Sequence, residues 1–424
     1  MFKKKRDYGY YSSYGTSSRS RLKVGRVALV GAVGVVLVIG IVVVLNLTRI
    51  KLLIKGYSFS QASEILSLTK EQENEILSHD KLDHITNWIA NSKKVSLYDE
   101  YEKYLGMNKK MEYADVVTYI NGLFKEEVPK LKSMGYSEKV IWNLISDKVS
   151  KEDLQYLIDH NYTAKDLEPY RKVKGYQIQN LEAYINAYNN YKDYNYAVCI
   201  TNYPFLISSN GEPKESYTIT NPDDLLVLVK KGFYLPESYE PKLVDPEIPV
   251  APDCQNPKMT KETSDALTKM YEAAKKEGLE LVVNSAYRSY QTQVDTMADF
   301  ERRFGGQYAN EYVAQPGASE HQTGLGIDLT SQSVVEGKKI TFGDTDEYKW
   351  VIKNCAKYGF IIRFENGTDG ITGIAHEPWH LRYVGKDVAK KIVEKEWTFE
   401  EYCLYNNVMP KVTKNNLGVT SRLF

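Results

Sequence analysis

The 424-residue sequence predicts an α+β domain with a small antiparallel sheet toward its C-terminal end, preceded by an all-α module and one transmembrane helix. Three observations predict it. Val27–Leu47 carries no charge. From Lys51 to about Tyr196, Leu, Ile and Tyr recur at helical spacing. Beyond residue 258, amphipathic helices alternate with short β-branched runs and tight glycine turns. A chain this long exceeds one ordinary domain and is able to bury more than one core.

Residues 1–26 hold eight Lys or Arg against Asp7 alone and include the Tyr- and Ser-rich YGYYSSYGTSSRSR. They lack apolar periodicity and read as a disordered cytoplasmic tail. Residues 27–47, VALVGAVGVVLVIGIVVVLNL, are long enough at about 1.5 Å per residue to span the roughly 30 Å hydrocarbon core of a bilayer. Their β-branched and glycine content suits a helix whose backbone has no water to bond to. A cleaved signal peptide is the competing reading, but the run exceeds a signal core of roughly 7–15 residues and no small-x-small site precedes Thr48. The basic excess before the span, against Arg49, Lys51 and Lys55 after it, places the N-terminus in the cytoplasm and the rest outside the cell. Net charge is zero, so the chain beyond the basic tail is mildly acidic and gives no electrostatic reason to expect nucleic acid as a partner.

Residues 50–200 are expected to form a helical repeat or spacer module. Gly56-Tyr57-Ser58 recurs as Gly135-Tyr136-Ser137, Thr69-Lys70-Glu71 as Ser150-Lys151-Glu152, and Tyr119-Ile120-Asn121 as Tyr184-Ile185-Asn186. The Thr and Ser before Lys-Glu sit where N-caps open helices. For most of the dense tyrosines, Tyr98, Tyr101, Tyr104, Tyr113, Tyr184, Tyr188, Tyr191 and Tyr194, core and half-buried helix positions fit better than a sugar- or base-stacking surface. His79, His84 and His160 have no carboxylate or Cys at ligand spacing and read as surface or helix histidines.

Residues 201–258 contain nine of the fourteen prolines, a density that forbids long helices and marks a connector laid over a surface. Within it, Asn221–Gly232 reads as a short capped helix. The last domain, residues 259–412, opens with a helix from Thr260 to Gly278 and a strand over LELVVNSAYRS. A helix from Tyr290 to about Phe304 and a Gly305-Gly306 turn follow. Glu347–Tyr358 reads as a helix, Phe360–Phe364 as a strand, and Ile374–Val384 as a strand pair. Cys199, Cys254, Cys355 and Cys403, widely spaced and without CxxC, read as buried free thiols rather than a disulfide framework.

Two motifs in this domain carry chemistry. SEHQTGLGIDL (319–329) places His321 and Asp328 seven residues apart across Gly324 and Gly326. EPWH (377–380) adds His380 and a free carboxylate, Glu377. A catalytic Zn2+ takes three protein ligands and leaves one position for water, and His321, Asp328 and His380 supply that count. Glu377 is placed as general base toward the metal's water. Arg288, at a strand end, is placed on an oxyanion or substrate carboxylate, and Ser319 within reach of ligand or substrate. His376–His380 also spells HExxH, which ligates zinc only on a helix; Pro378 and strand-like flanks oppose that reading. The bland alternative is that these are unrelated polar residues near turns.

Ser285-Ala286-Tyr287-Arg288-Ser289, SEHQTGLGIDL and EPWHLRYVG together resemble the VanY-type D-alanyl-D-alanine carboxypeptidase family, which includes LD-carboxypeptidases of peptidoglycan and shares its fold with Hedgehog domains. The resemblance covers roughly residues 229–400. It implies zinc on His321, Asp328 and His380, catalysis by Glu377, and substrate contacts from Arg288, Ser319 and Gln293. This chain departs from the pattern at His376, where the family commonly has an aromatic, and at Gly326, where it has Ala. The expectation is a single-pass membrane protein whose extracellular domain removes the terminal D-alanine of peptidoglycan stem peptides, DD- or LD-. An endopeptidase on the same site and a wall-binding protein with a degenerate peptidase domain are the alternatives. Oligomeric state is left open.

Overall fold

The computed structural model describes residues 32–36, 40, 46–207 and 213–415. The expected tail and most of the expected 27–47 span lie outside them. Within the span, residues 32–36 are helical and exposed. Among the described residues no helix is long and apolar enough to cross a membrane.

The chain divides into two compact units, Met1–Asn161 and Tyr162–Phe424. The division falls inside the stretch expected to be one helical module. Its described part in the first unit is entirely helical, and the repeated motifs are helix punctuation. Gly56 and Gly135 take positive φ (97° and 87°). The N–H groups of Tyr57 and Tyr136 turn back to the carbonyls of Leu52 and Leu131, 3.1 and 3.0 Å away. Ser58 and Ser137 then cap the helices Phe59–Ile65 and Glu138–Ser146, and both tyrosines are buried as the chain enters the new helix. Thr69 and Ser150 close capping boxes on Lys70–Ser78 and Lys151–Asp159. His79 meets Asp99, and His84 lies 2.8 Å from Glu102, so both histidines have carboxylate neighbours.

The second unit is α+β. Residues expected to be a spacer and a connector are built into its core: Tyr196, Cys199 and Ile200 of the helix Tyr194–Asn202, then Phe205, Val229 and Phe233, pack with Phe399, Cys403 and Leu404. Strands β1 (Tyr217–Ile219) and β2 (Phe233–Tyr234) form a small sheet with β7 (Val412–Lys414), in the order β2-β1-β7. No helix forms over 221–232. Val227, Leu228 and Val229 are all buried, and the carbonyls of Leu225 and Val227 accept from Arg382 Nη2 at 3.0 and 2.9 Å instead of from a helical turn.

Helix α1 (Lys261–Lys276), capped by Thr260, leads through Gly278 at φ 79° into β3 (Leu281–Ser285). Helices α2 (Tyr290–Phe304) and α3 (Gly306–Tyr312) follow, separated by Gly305 at φ 89°. The sequence signalled only the turn, not α3. Strand β4 (Gly326–Ser331), helix α4 (Asp346–Asn354), β5 (Phe360–Phe364) and β6 (Glu377–Tyr383) complete the domain before helix α5 (Phe399–Asn406). The expected 374–384 strand pair is a single strand, since β6 takes its partners from β4 and β5. The main sheet runs β3-β4-β6-β5, antiparallel throughout. Val283, Ile327, Leu329 and Leu381 pack against Leu267 and Met270 of α1 and Val351 of α4. Strand alternation therefore turns Asp328 to the face opposite the core. The four cysteines are free, three of them buried.

Candidate metal centre and active-site cleft

Register brings the first two candidate ligands together. Asp328 on β4 pairs directly with His380 on β6, so their side chains leave the sheet side by side. His380 Nδ1 lies 2.9 Å from Asp328 Oδ1. His321 arrives from a 3-10 turn, Glu320–Thr323, closed by Gly324 at φ 68°. A Cβ at Gly324 would come within 2.7 Å of Leu243, so the position demands glycine on two counts. His321 Nδ1–H donates to the Ala286 carbonyl at 2.5 Å, turning Nε2 toward Asp328 Oδ1, 3.4 Å away.

Glu377 reaches the same cleft through an irregularity. Ile362 pairs with Leu381 and Phe364 with Glu377, so β6 carries two more residues than β5 between these pairs. In a regular strand residues three apart face opposite ways. The register shift here breaks that regular alternation; Glu377 and His380 both line one cavity, and the irregularity gives Pro378 a place in a strand. Because β6 is a strand, His376 and His380 do not share a helical face; His376 Nδ1–H donates instead to the Phe364 carbonyl at 2.9 Å. Among the described residues the potential metal-ligand group is His321, Asp328 and His380, with candidate atoms all within 4.8 Å of one another.

Electrostatics divide the acids by role. Burial raises the Glu377 carboxyl to about 7, with His380 opposing and Asp328 adding to the rise. Asp328 is more deeply buried than Glu377, but His321 and His380 outweigh burial and hold it well below the usual carboxylate range. Burial pulls His321 down to about 4, and Arg288 adds to the fall. Burial also opposes protonation of His380, yet Asp328 and Glu320 outweigh it and raise His380 to about 9. Arg288 and Ser319 line the cleft. Gln293 does not: it is 1% exposed, and its amide donates to the Ala314 carbonyl at 2.7 Å, bracing the chain after α3.

A family-level match to VanY, D-alanyl-D-alanine carboxypeptidase, covers residues 256–386. The putative carboxypeptidase YodJ of Bacillus subtilis is 46% identical over 188 residues, 44% of this chain and 69% of that protein. The chain belongs to the VanY-type D-alanyl-D-alanine carboxypeptidase family. A D-alanyl-D-alanine carboxypeptidase of Enterococcus faecalis is 32% identical over 33% of this chain and 53% of its own length. The solved LD-carboxypeptidase LdcB aligns at 46% identity over 44% of this chain and 88% of that one, with a TM-score of 0.41. As a VanY-type protein the chain is a carboxypeptidase.

The donor set of this VanY-type site fits zinc. His321 Nε2 lies 3.4 Å from Asp328 Oδ1, the spacing of two ligands on a tetrahedral ion with bonds of about 2.0–2.2 Å, and His380 Nδ1 lies 2.9 Å from the same oxygen, at hydrogen-bond distance. His380 Nε2, buried and without a hydrogen-bond partner, points away from that cluster toward Glu320 Oε2, itself unpartnered, at 3.5 Å. Glu320 is the residue that sequence reasoning missed. Its Oε1 accepts from Arg363 and Arg382, both at 2.9 Å. Arg363 is bidentate to Glu400 at 3.0 and 2.7 Å, and Lys230 lies 3.5 Å from Glu400. All five are buried. The available signal was a charge in an apolar strand, Arg363 in FIIRF and Arg382 in HLRYV. Removing one partner from a buried ion pair costs about 3–5 kcal/mol, so the isosteric change is the informative one. Glu320→Gln is expected to weaken zinc binding by roughly 10–100-fold, as loss of an outer carboxylate on a ligating imidazole does, measured by competition with a chelator. Unchanged affinity would reduce Glu320 to a packing role.

Proposed function

We propose that this chain is a membrane-anchored carboxypeptidase that removes the C-terminal D-alanine from peptidoglycan stem peptides outside the cell. One observation carries the reading: an imidazole pair and an aspartate able to hold zinc share a cleft with an acid of raised pKa, Glu377, and an arginine, Arg288. The name of the Enterococcus faecalis relative, D-alanyl-D-alanine carboxypeptidase, supports the substrate class. The uncharged run at 27–47, with basic residues massed before it, supports the anchor and its orientation.

Zinc at this site supplies Lewis acidity, which polarises a carbonyl and acidifies a water molecule. The chain's own residues do the rest. Glu377, held protonatable near neutrality by burial, accepts a proton from the attacking water and delivers it to the departing amine of D-alanine. Arg288 offers its guanidinium to a carboxylate or developing oxyanion across the cleft, where two-pronged hydrogen bonding fixes orientation as well as charge. His321 is locked in one tautomer by the Ala286 carbonyl. His380 is held in place by Asp328 in register and by stacking on Phe364, ring centroids 5.1 Å apart.

Mass spectrometry of defined muropeptides incubated with the full chain in detergent tests this function. Loss of one alanine from a penta- or tetrapeptide is expected, and which of the two reacts assigns DD- or LD- specificity. A cut at an internal bond would make the protein an endopeptidase. No cleavage with zinc present would leave a wall-binding role.

A further inference from the structure

The active-site cleft is longer than a terminal alanine needs. It encloses about 690 Å3 and runs from the metal cluster to the wall formed by α2 and α3, a size that holds a drug-sized ligand. Along that wall Phe300, Phe304, Tyr308 and Tyr312 recur every fourth residue, and all four line the cavity. Their ring centroids stand 5.5, 5.2 and 4.5 Å apart in succession, crossing the helix break at Gly305. Phe300 and Tyr312 are half-buried, whereas Phe304 and Tyr308 are 50% and 42% exposed.

The wall is built rather than loose. Met297, Ala309 and Val313 form a small core between α2 and α3, with Phe300 packed on it. The carbonyl of Glu311 accepts from Ala375 N–H at 3.1 Å, tying α3 to the loop that leads into Glu377. Gln293 holds the Ala314 carbonyl from the other side. Two large rings are thus kept in water at fixed spacing, a costly arrangement in a free protein and a useful one where a flat apolar surface must be met.

The charge beside the rings narrows the occupant. Arg303 places its guanidinium 5.0 Å from the Phe304 ring centre, pairing with Asp299 at 3.2 Å. A ring already faced by one cation is a poor seat for a second, which disfavours the side-chain ammonium of a peptide. A neutral pyranose has an apolar face of ring hydrogens to lay on the aromatics, and hydroxyl and acetamido groups to turn toward Arg303 and Asn310 at the rim. In peptidoglycan the stem peptide is attached at its N-terminal end to such an amino sugar. Five extended residues reach about 17 Å, so a peptide with its C-terminal residue at Glu377 and Arg288 delivers its sugar well away from the metal.

We propose that Phe304 and Tyr308 form a carbohydrate subsite of the catalytic cleft, taking the apolar face of the N-acetylated amino sugar to which the stem peptide is attached. The assignment rests on the peptidoglycan reading above. It is tested with the full chain by comparing KM for one stem peptide, free and attached to its disaccharide. Wild type is expected to show a KM roughly fivefold to tenfold lower for the glycan-bearing substrate. Phe304→Ala/Tyr308→Ala is expected to bring that ratio close to one, while Tyr308→Phe keeps it, because the ring and not its hydroxyl is used. Equal KM values in wild type, or a ratio that survives the double substitution, would overturn the subsite. If neither substrate is turned over, the peptidoglycan carboxypeptidase reading is what has failed. Calorimetric binding of the disaccharide alone to wild type and double variant then decides the subsite separately: binding lost with the rings supports it, and no binding to wild type overturns it.

Discussion

Glu377→Ala is expected to retain about one zinc per chain and to lose roughly 10²–10⁴-fold in kcat/KM, the usual contribution of a positioned general base. Its carboxylate is outside the metal-ligand cluster, so the metal has no reason to leave. What the substitution removes is the one acid in the cleft that burial holds near neutrality, at about 7. The sign of the pH dependence follows. A base must be ionised to work, so activity falls as pH drops through the Glu377 pKa. A bound divalent cation favours the ionised form, which places the acid limb of kcat/KM at or below about 7. That limb should vanish in the variant along with most of the rate. Zinc analysis and a pH-rate profile check both statements. Full activity in Glu377→Ala would take the base away from this residue.

Asp328→Ala is expected to strip zinc from the protein, whereas His376→Ala should leave it in place. Asp328 Oδ1 is the carboxylate oxygen that meets both imidazoles, 3.4 Å from His321 Nε2 and 2.9 Å from His380 Nδ1. Without it two buried rings face one another with no anion between them, and the loss of affinity should exceed the roughly 10–100-fold of an outer-shell change. His376, although it completes a literal HExxH, spends its Nδ1 on the Phe364 carbonyl. Zinc content after dialysis against buffered metal, with a thermal melt to establish folding, separates the two. Metal lost from the His376 variant and kept by the Asp328 variant would reinstate the helical reading of that motif.

Helix punctuation was legible because it is local. Thr69, Ser150, Thr260 and Ser289 each bond the third residue of the helix they open, a contact written within four residues of sequence. The α3 helix escaped because Gly305-Gly306 signals a stop, and nothing local says that a new helix starts at once. Asn221–Gly232 looked helical by its cap and apolar content. It is instead extended and turned, since Arg382, 155 positions away from Val227, takes its carbonyls. The unit boundary at Asn161 was equally invisible, because the apolar face of Tyr194–Asn202 finds its cover on α5.

The residues of the site were readable from sequence alone: His321 and Asp328 across two glycines, Glu377 and His380 three apart, and the incompatibility of Pro378 with a helix. Each depends on residue chemistry and short spacing. Tertiary structure alone decided that Asp328 and His380 stand in register, that Glu377 joins His380 along one cavity where β5 and β6 slip register, and that Glu320 turns toward His380 from within a buried cluster of arginines. Those facts follow from which strands pair and which charges lose their water. Both are properties of contacts between distant segments, and no local pattern encodes them.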